Sequence, residues 1–372
     1  MNRRDLLCLT VLSILTFILA MRWFPRTTPD SAYYLEMVEI FKGNLPVTTA
    51  TPPFCYRVLM PLIVSLFPTD PILTFCAINV LLAVVLAWIT YFLAKTFFVS
   101  EFGAFVATGL SSVSIMTISL GSVALTDMAA MICMGLVLVG IRQHWNPAAI
   151  MLFLIIGVAF KETVILAAVA WVIITVAKAR RPQRTWDWRR TWFWNWRKRW
   201  TRSAWAIVGL LVAVGFYFCI RWLWVTVGVP INDASIWKWN HLWNFINRPD
   251  GVIDSFWLGF MLWIPAFVVV IILQLTGKKF NAGLGWLWQT GIPFLVFLFV
   301  GLFTAYFSLR FIWPLYFSMV PIVAQAATII GNKIVKPLEE AARGLLTVSA
   351  LLISLFAGIC SVAVVVSCRC QT

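Results

Sequence analysis

Apolar residues in this chain come in long runs broken by short charged or proline-containing turns, rather than in the one-sided stripes of a soluble helix. About 20 apolar residues make a helix long enough to cross the hydrocarbon core of a bilayer. Read as helices, the runs fall at 6–24, 71–94, 102–120, 128–141, 148–160, 163–177, 204–228, 256–276, 286–304, 311–330 and 344–366. The fold class this predicts is all-α: one polytopic transmembrane domain over residues 1–372, with about 11 transmembrane helices. The stretch 148–177 reads either as one long helix or as two short ones reversing at Lys161-Glu162. A hairpin is expected, because a single lipid-facing helix would hold two ionisable side chains near the bilayer midplane at a cost of several kcal/mol.

Composition agrees with the pattern. Of 372 residues 62% are hydrophobic and 12% charged, with a mean hydropathy of +0.91. A soluble domain is about half apolar and about a quarter charged. Met1-Asn-Arg-Arg followed by Leu6 to Met21 has the form of a signal sequence or a signal anchor; Ile18-Leu-Ala-Met-Arg22 is a poor cleavage site, so the segment is read as the first span.

The net charge of +15 lies beside apolar spans, which points to membrane topology and away from nucleic acid. With the N terminus inside, the cytoplasmic side carries Arg3, Arg4, Lys95, Arg142, Lys278, Lys279, Lys333, Lys336 and Arg343, and the ten Lys/Arg between Lys178 and Arg202. Nine acids lie on the outer side: Asp30, Glu36, Glu39, Asp70, Asp127, Glu162, Asp233, Asp250 and Asp254. Any chemistry therefore faces outward. The segment 178–203 interleaves its basic residues with Trp186, Trp188, Trp192, Trp194, Trp196 and Trp200; it reads as an interfacial anchor, or as a dock for lipid or a partner.

Several function classes are excluded. His144 and His241 are the two histidines, and there is no HExxH, no GxxxxGK[ST], no GxGxxG and no DxD pair, so a His-based metal hydrolase or a soluble nucleotide donor is disfavoured. The cysteines at 8, 55, 76, 133, 219, 360, 368 and 370 follow no metal spacing, and most sit in apolar runs.

In a chain sparing with charge, three features place it at or near the outer ends of helices. The outer loop 25–70 contains Pro25-Arg-Thr-Thr-Pro-Asp30-Ser-Ala-Tyr33-Tyr34-Leu-Glu36, in which Asp30 is a candidate N-cap or a candidate base, and Tyr33, Met37 and Ile40 share a helical face. Phe54-Cys-Tyr56-Arg57-Val-Leu-Met-Pro61 follows, where Arg57 is either a snorkelling interfacial residue or a phosphate clamp. Asp127 in Leu125-Thr-Asp-Met, Lys161-Glu162-Thr163, and Arg310 in Tyr306-Phe-Ser-Leu-Arg310 lie at further outward turns. Caps and structural ion pairs account for each singly, and less well for their all lying on one side. In the outer loop 229–255, Asp233 and His241 are further polar candidates, and Trp237, Trp239 and Trp243, with Tyr33 and Tyr34, either anchor at the interface or stack on sugar rings.

This order of anchor, outer Asp30 followed by Tyr33-Tyr34, the Phe54-to-Pro61 segment, Asp127, Lys161-Glu162-Thr163 and a late Arg310 resembles the GT-C superfamily of membrane glycosyltransferases over roughly residues 1 to 320. The resemblance implies an inverting hexosyl- or pentosyltransferase that uses a polyprenyl-phosphate-linked sugar, with Asp30 as general base. Arg57, Lys161 and Arg310 would bind the lipid phosphate, Tyr33 and Tyr34 the substrate, and Asp127 and Glu162 are secondary acidic candidates. The chain departs from the superfamily in being short, in lacking a C-terminal soluble domain and in having Ser31 after Asp30 where some members pair Asp with Glu.

The chemistry fits these residue types. A carboxylate that takes the acceptor proton as the new bond forms contributes about 10²–10⁴ in rate. Cations at the leaving phosphate add electrostatic stabilisation. No cofactor is expected, a divalent ion being compatible with the same site. The partners are the lipid-linked sugar, membrane lipids and an acceptor that is a glycan, lipid or protein. The short loops point to a bacterial inner membrane and a role in the cell envelope. The alternative is a transporter or flippase of a lipid-linked or anionic substrate, for which Arg221, inside an apolar run, is the argument; the lack of an internal repeat argues against it.

Overall fold

The computed structural model describes residues 2–22, 24–114, 117, 121–180, 192–229, 259–261, 263–277, 281–301 and 312–335. Among them the regular elements are all helical: α1 (Arg3–Met21), α2 (Pro29–Phe41), α3 (Leu59–Ser65), α4 (Pro71–Lys95), α5 (Glu101–Ser112), α6 (Asp127–Gln143), α7 (Pro147–Phe160), α8 (Ile165–Arg180), α9 (Trp192–Thr226), α10 (Trp263–Leu275), α11 (Asn281–Gly301) and α12 (Leu315–Val335). Three 3-10 turns, Val47–Thr49, Phe54–Tyr56 and Glu162–Val164, join them.

Among the described residues, five stretches are long and apolar enough to cross a membrane: Arg3–Met21, Pro71–Lys95, Glu162–Ala179, Thr201–Thr226 and Leu315–Asn332. The count of about 11 is not reached among the described residues. Of the run expected at 102–120, Glu101–Ser112 is helical, and residues 115, 116 and 118–120 lie outside the described residues. Residues 344–366 and Arg310 lie outside the described residues, as do 181–191 and 230–258.

Local chemistry sets the helix ends. Asn2 caps α1 by accepting from the Asp5 N–H at 2.7 Å, and Asp70 and Asn146 do the same for α4 and α7 with proline at the first helical position. Helices α1 and α4 run antiparallel: the Tyr91 hydroxyl donates to Asp5 Oδ1 at 2.6 Å and Trp88 Nε1 to Ser13 Oγ at 2.7 Å. Helices α5 and α12 pack most extensively, with Gly103 letting α5 approach Thr328 and Ala324 so closely that a side chain there would collide with both.

The expected reversal at Lys161-Glu162 is present. Pro147 and Ile150 of α7 line the same cavity as Ile174 and Lys178 of α8, which requires the chain to double back between them. Gly157 makes room for the turn: a Cβ there would sit 2.6 Å from Val164 and 2.8 Å from Cys133.

The bundle thus has two distinct ends. One collects the start of α1, the end of α4, the α6–α7 turn, the end of α8 and the start of α9. The other collects the end of α1 and the starts of α4, α6 and α8, and is covered by α2, α3 and their turns. Two apolar clusters hold that cover down: Tyr34, Val38, Met60, Val64, Phe75 and Leu125 in one, and Met37, Ile40, Cys55, Tyr56, Ile220 and Trp224 in the other.

Candidate functional site

The candidate site is the covered end. Its backbone is fixed first. Asn79, an amide in the middle of apolar α4, donates to the carbonyls of Val123 at 2.5 Å and Leu125 at 2.8 Å. Arg26 bridges to Val123, and the Ala124 N–H donates to the Arg26 carbonyl at 3.3 Å. The loop that delivers Thr126 and Asp127 to the start of α6 is therefore held from α4 and from the segment that precedes α2.

Arg57 follows the Phe54–Tyr56 turn and is 8% exposed. Its Nε and Nη2 donate to Glu162 Oε2 and Oε1 at 2.9 and 2.6 Å, a bidentate pair spanning 105 residues of sequence. Its Nη1 donates to the Tyr34 hydroxyl at 2.6 Å, and the Thr126 hydroxyl reaches that oxygen at 3.5 Å. A guanidinium has five N–H donors, so two remain without a partner among the described residues. Burial works against the Arg57 charge, but Glu162 and then Tyr34 outweigh it and hold the group well above its ordinary value. Burial pushes the Tyr34 hydroxyl up, so it stays protonated.

Lys161 ends α7 in an extended conformation, and its ammonium donates to Asp127 Oδ1. The side chains of Lys161 and Asp127 are 9% and 6% exposed. Glu162 is wetter, its side chain 31% exposed. The two cations therefore enter the site already matched by two carboxylates, and the cluster is neutral in sum.

Aromatic rings complete the wall. Tyr33 stacks on Phe54 with centroids 4.4 Å apart, Tyr34 meets the same ring edge-on at 5.5 Å, and the Arg57 guanidinium lies 5.7 Å from its centroid. Arg221 stacks on Tyr56 at 4.9 Å and on Tyr217 at 5.5 Å, and donates to the Tyr217 hydroxyl at 3.2 Å. The polar environment that Arg221 requires is thus an aromatic pocket beside the site.

Of the residues singled out from the sequence, Tyr34, Arg57, Asp127, Lys161 and Glu162 come together, with Tyr33 stacked at the edge. The N-cap of α2 is Thr28 rather than Asp30: Thr28 and Ser31 bond reciprocally in a capping box, and Asp30 sits inside the first turn. Asp30 precedes Tyr34 by four residues, so the two share a helix face with about 5–6 Å between their Cβ atoms. The buried face of α2 is Tyr34, Met37, Val38 and Ile40; Tyr33 is 37% exposed. Arg310, Asp233, His241 and Trp237, Trp239 and Trp243 lie outside the described residues. The sequence reading missed Phe54, Thr126 and Asn79; a lone amide in an apolar helix was the available signal for the last. Among the described residues no trio of His, Cys, Asp or Glu is placed to hold a metal ion. No protein-family model matches the chain, and no curated protein sequence does.

Proposed function

We propose that the covered end is the active site of an inverting glycosyltransferase that moves a sugar from a polyprenyl-phosphate donor to an acceptor hydroxyl. The observation that carries the reading is the Arg57-Tyr34-Glu162 and Lys161-Asp127 network lying one helical turn from Asp30. In this scheme the Asp30 carboxylate takes the proton of the acceptor hydroxyl while its oxygen bonds to the anomeric carbon from the face opposite the phosphate. The bond from that carbon to the phosphate oxygen breaks, and its electron pair leaves with the polyprenyl phosphate.

Glu162 fixes the plane of the Arg57 guanidinium and Tyr34 pins one edge, so the two remaining N–H donors present a preorganised edge to the leaving phosphate. Lys161 serves mainly to hold Asp127, and Tyr33 on Phe54 offers an aromatic face for the sugar ring. The scheme further proposes about 11 spans, an outward-facing site, a cytoplasmic N terminus and a bacterial inner membrane.

The test is release of free polyprenyl phosphate from a panel of polyprenyl-phosphate sugars by the protein in nanodiscs, with and without acceptor extracts. Wild type should release it, and Asp30→Asn should fall by at least about 10² while its thermal unfolding is unchanged. An unchanged rate for Asp30→Asn removes the base from the scheme. Flux of labelled lipid-linked sugar across proteoliposomes that survives Asp30→Asn, with no release, replaces the enzyme by a transporter.

A further inference from the structure

The turn that presents Arg57 uses its own amides locally. The Cys55, Tyr56 and Arg57 N–H groups donate to the carbonyls of Thr51, Pro53 and Phe54 at 3.1, 3.2 and 3.1 Å, so all three bonds close within the turn. Side chains must tie it to the bundle, and they go to three different elements. Phe54 meets Tyr33 and Tyr34 of α2, Arg57 meets Glu162 at the reversal between α7 and α8, and Tyr56 meets α9.

The contact on α9 is made by an arginine. Arg221 lies inside the apolar stretch Thr201–Thr226, where an ionisable side chain is costly and by default marks a functional position. It is on the inward face of the helix: Ile220 and Trp224 are buried, whereas Phe218, Trp222 and Leu223 are exposed. Tyr217, one turn earlier, accepts from Arg221 Nη1 at 3.2 Å and steadies the guanidinium 4.9 Å from the centroid of the Tyr56 ring. The Tyr56 and Tyr217 rings meet edge-on at 6.3 Å, and both lie within cation–π reach of Arg221.

We propose that Arg221 is a positioning residue of the covered end: it clamps Tyr56 to α9 and, through the Phe54–Tyr56 turn, fixes where Arg57 stands. The inference rests on the reading of Arg57 as the group that meets the donor phosphate. Arg57 directly follows Tyr56, so a turn released at Tyr56 is held by the Phe54 stack and the Glu162 pair and can pivot about them. A guanidinium desolvated against rings contributes more than an exposed one, and a hold made by one side chain is removed by one substitution.

Cys55, in the middle of the turn, is 0% exposed and reports on the turn, whereas Cys133, buried in α6, reports on the bundle. The full chain in nanodiscs is treated with a water-soluble maleimide, and labelling is read on each cysteine peptide by mass spectrometry. Arg221→Met keeps the length of the side chain without its charge and should raise Cys55 labelling about tenfold, with Cys133 as protected as in wild type. Arg221→Lys retains a cation and should bring Cys55 back to within about threefold of wild type. Because Arg221 acts through Tyr56, adding Arg221→Met to Tyr56→Leu should change Cys55 labelling by less than about twofold. In the release assay Arg221→Met should raise the donor KM severalfold with kcat within about twofold, since bound phosphate holds Arg57 and recloses the turn. Wild-type labelling of Cys55 in Arg221→Met, an equal rise at Cys133, or additivity with Tyr56→Leu overturns the clamp. Cys55 labelling that rises at an unchanged KM overturns Arg57 as the group the clamp positions. A wild type that releases no polyprenyl phosphate defeats the glycosyltransferase reading instead, and the clamp is then decided at Cys55, whose labelling needs no donor.

Discussion

Replacing Lys161 with Met removes the ammonium that donates to Asp127 Oδ1, a carboxylate whose side chain is 6% exposed. Removing one partner of a buried pair leaves an uncompensated charge and costs about 3–5 kcal/mol. Asp127→Leu should cost a similar amount by removing the carboxylate that Lys161 meets, together with about 0.3–1 kcal/mol for the lost negative charge in the first turn of α6. The double replacement, Asp127→Leu with Lys161→Met, strands neither charge, and exchanging a buried pair for apolar side chains is commonly near neutral. The coupling between the two sites should therefore be large and should make the double variant much less damaged than the sum of the singles. Unfolding by SDS in mixed micelles, followed through the tryptophan fluorescence, gives the three differences. A cost below about 1 kcal/mol for Lys161→Met, the value typical of exposed pairs, or additivity in the double variant, would refute a buried, mutually dependent pair.

Gly103→Ala places a Cβ against the Thr328 side chain and the Ala324 carbonyl, and since backbone does not yield, α5 and α12 must part at a cost of about 1–3 kcal/mol in the same unfolding assay. Asn79→Ala removes the side-chain donor to the Leu125 carbonyl and leaves the Val123 carbonyl with the Leu125 N–H alone. It should cost about 1–3 kcal/mol and, because that loop delivers Asp127, should lower donor turnover as well as stability. A variant that is destabilised at full turnover would separate Asn79 from the site.

The parts of the site that the sequence made legible are those where charge is expensive. Arg57, Asp127 and Lys161-Glu162 interrupt apolar surroundings, and burying such groups requires partners. Which partner each takes is a long-range matter: Arg57 meets Glu162 across 105 residues, and no local period encodes that. The face of α2 was only partly legible, because Tyr33 and Tyr34 are adjacent and the choice between them rests on whether Phe75 and Leu125 or solvent lies beneath. Asp30 as an N-cap failed for a local reason: Thr28 three residues before Ser31 forms the capping box, and Pro29 then occupies the first helical position.

The covered end holds its cations in matched pairs with carboxylates, and salt tests that arrangement. At the covered end, Arg57 and Lys161 are offset by Glu162 and Asp127, so an arriving phosphate finds aligned donors and little net field. Hydrogen bonds from a buried, fixed guanidinium are screened weakly by ions in solution. Between about 0.05 and about 0.5 M NaCl the screening length falls severalfold, so the KM for the lipid-linked donor, followed by phosphate release, should move by less than about twofold. A KM that rises steeply over that range would mean that the covered end works through net charge, and the pairing of Arg57 with Glu162 would then have to open before substrate binds.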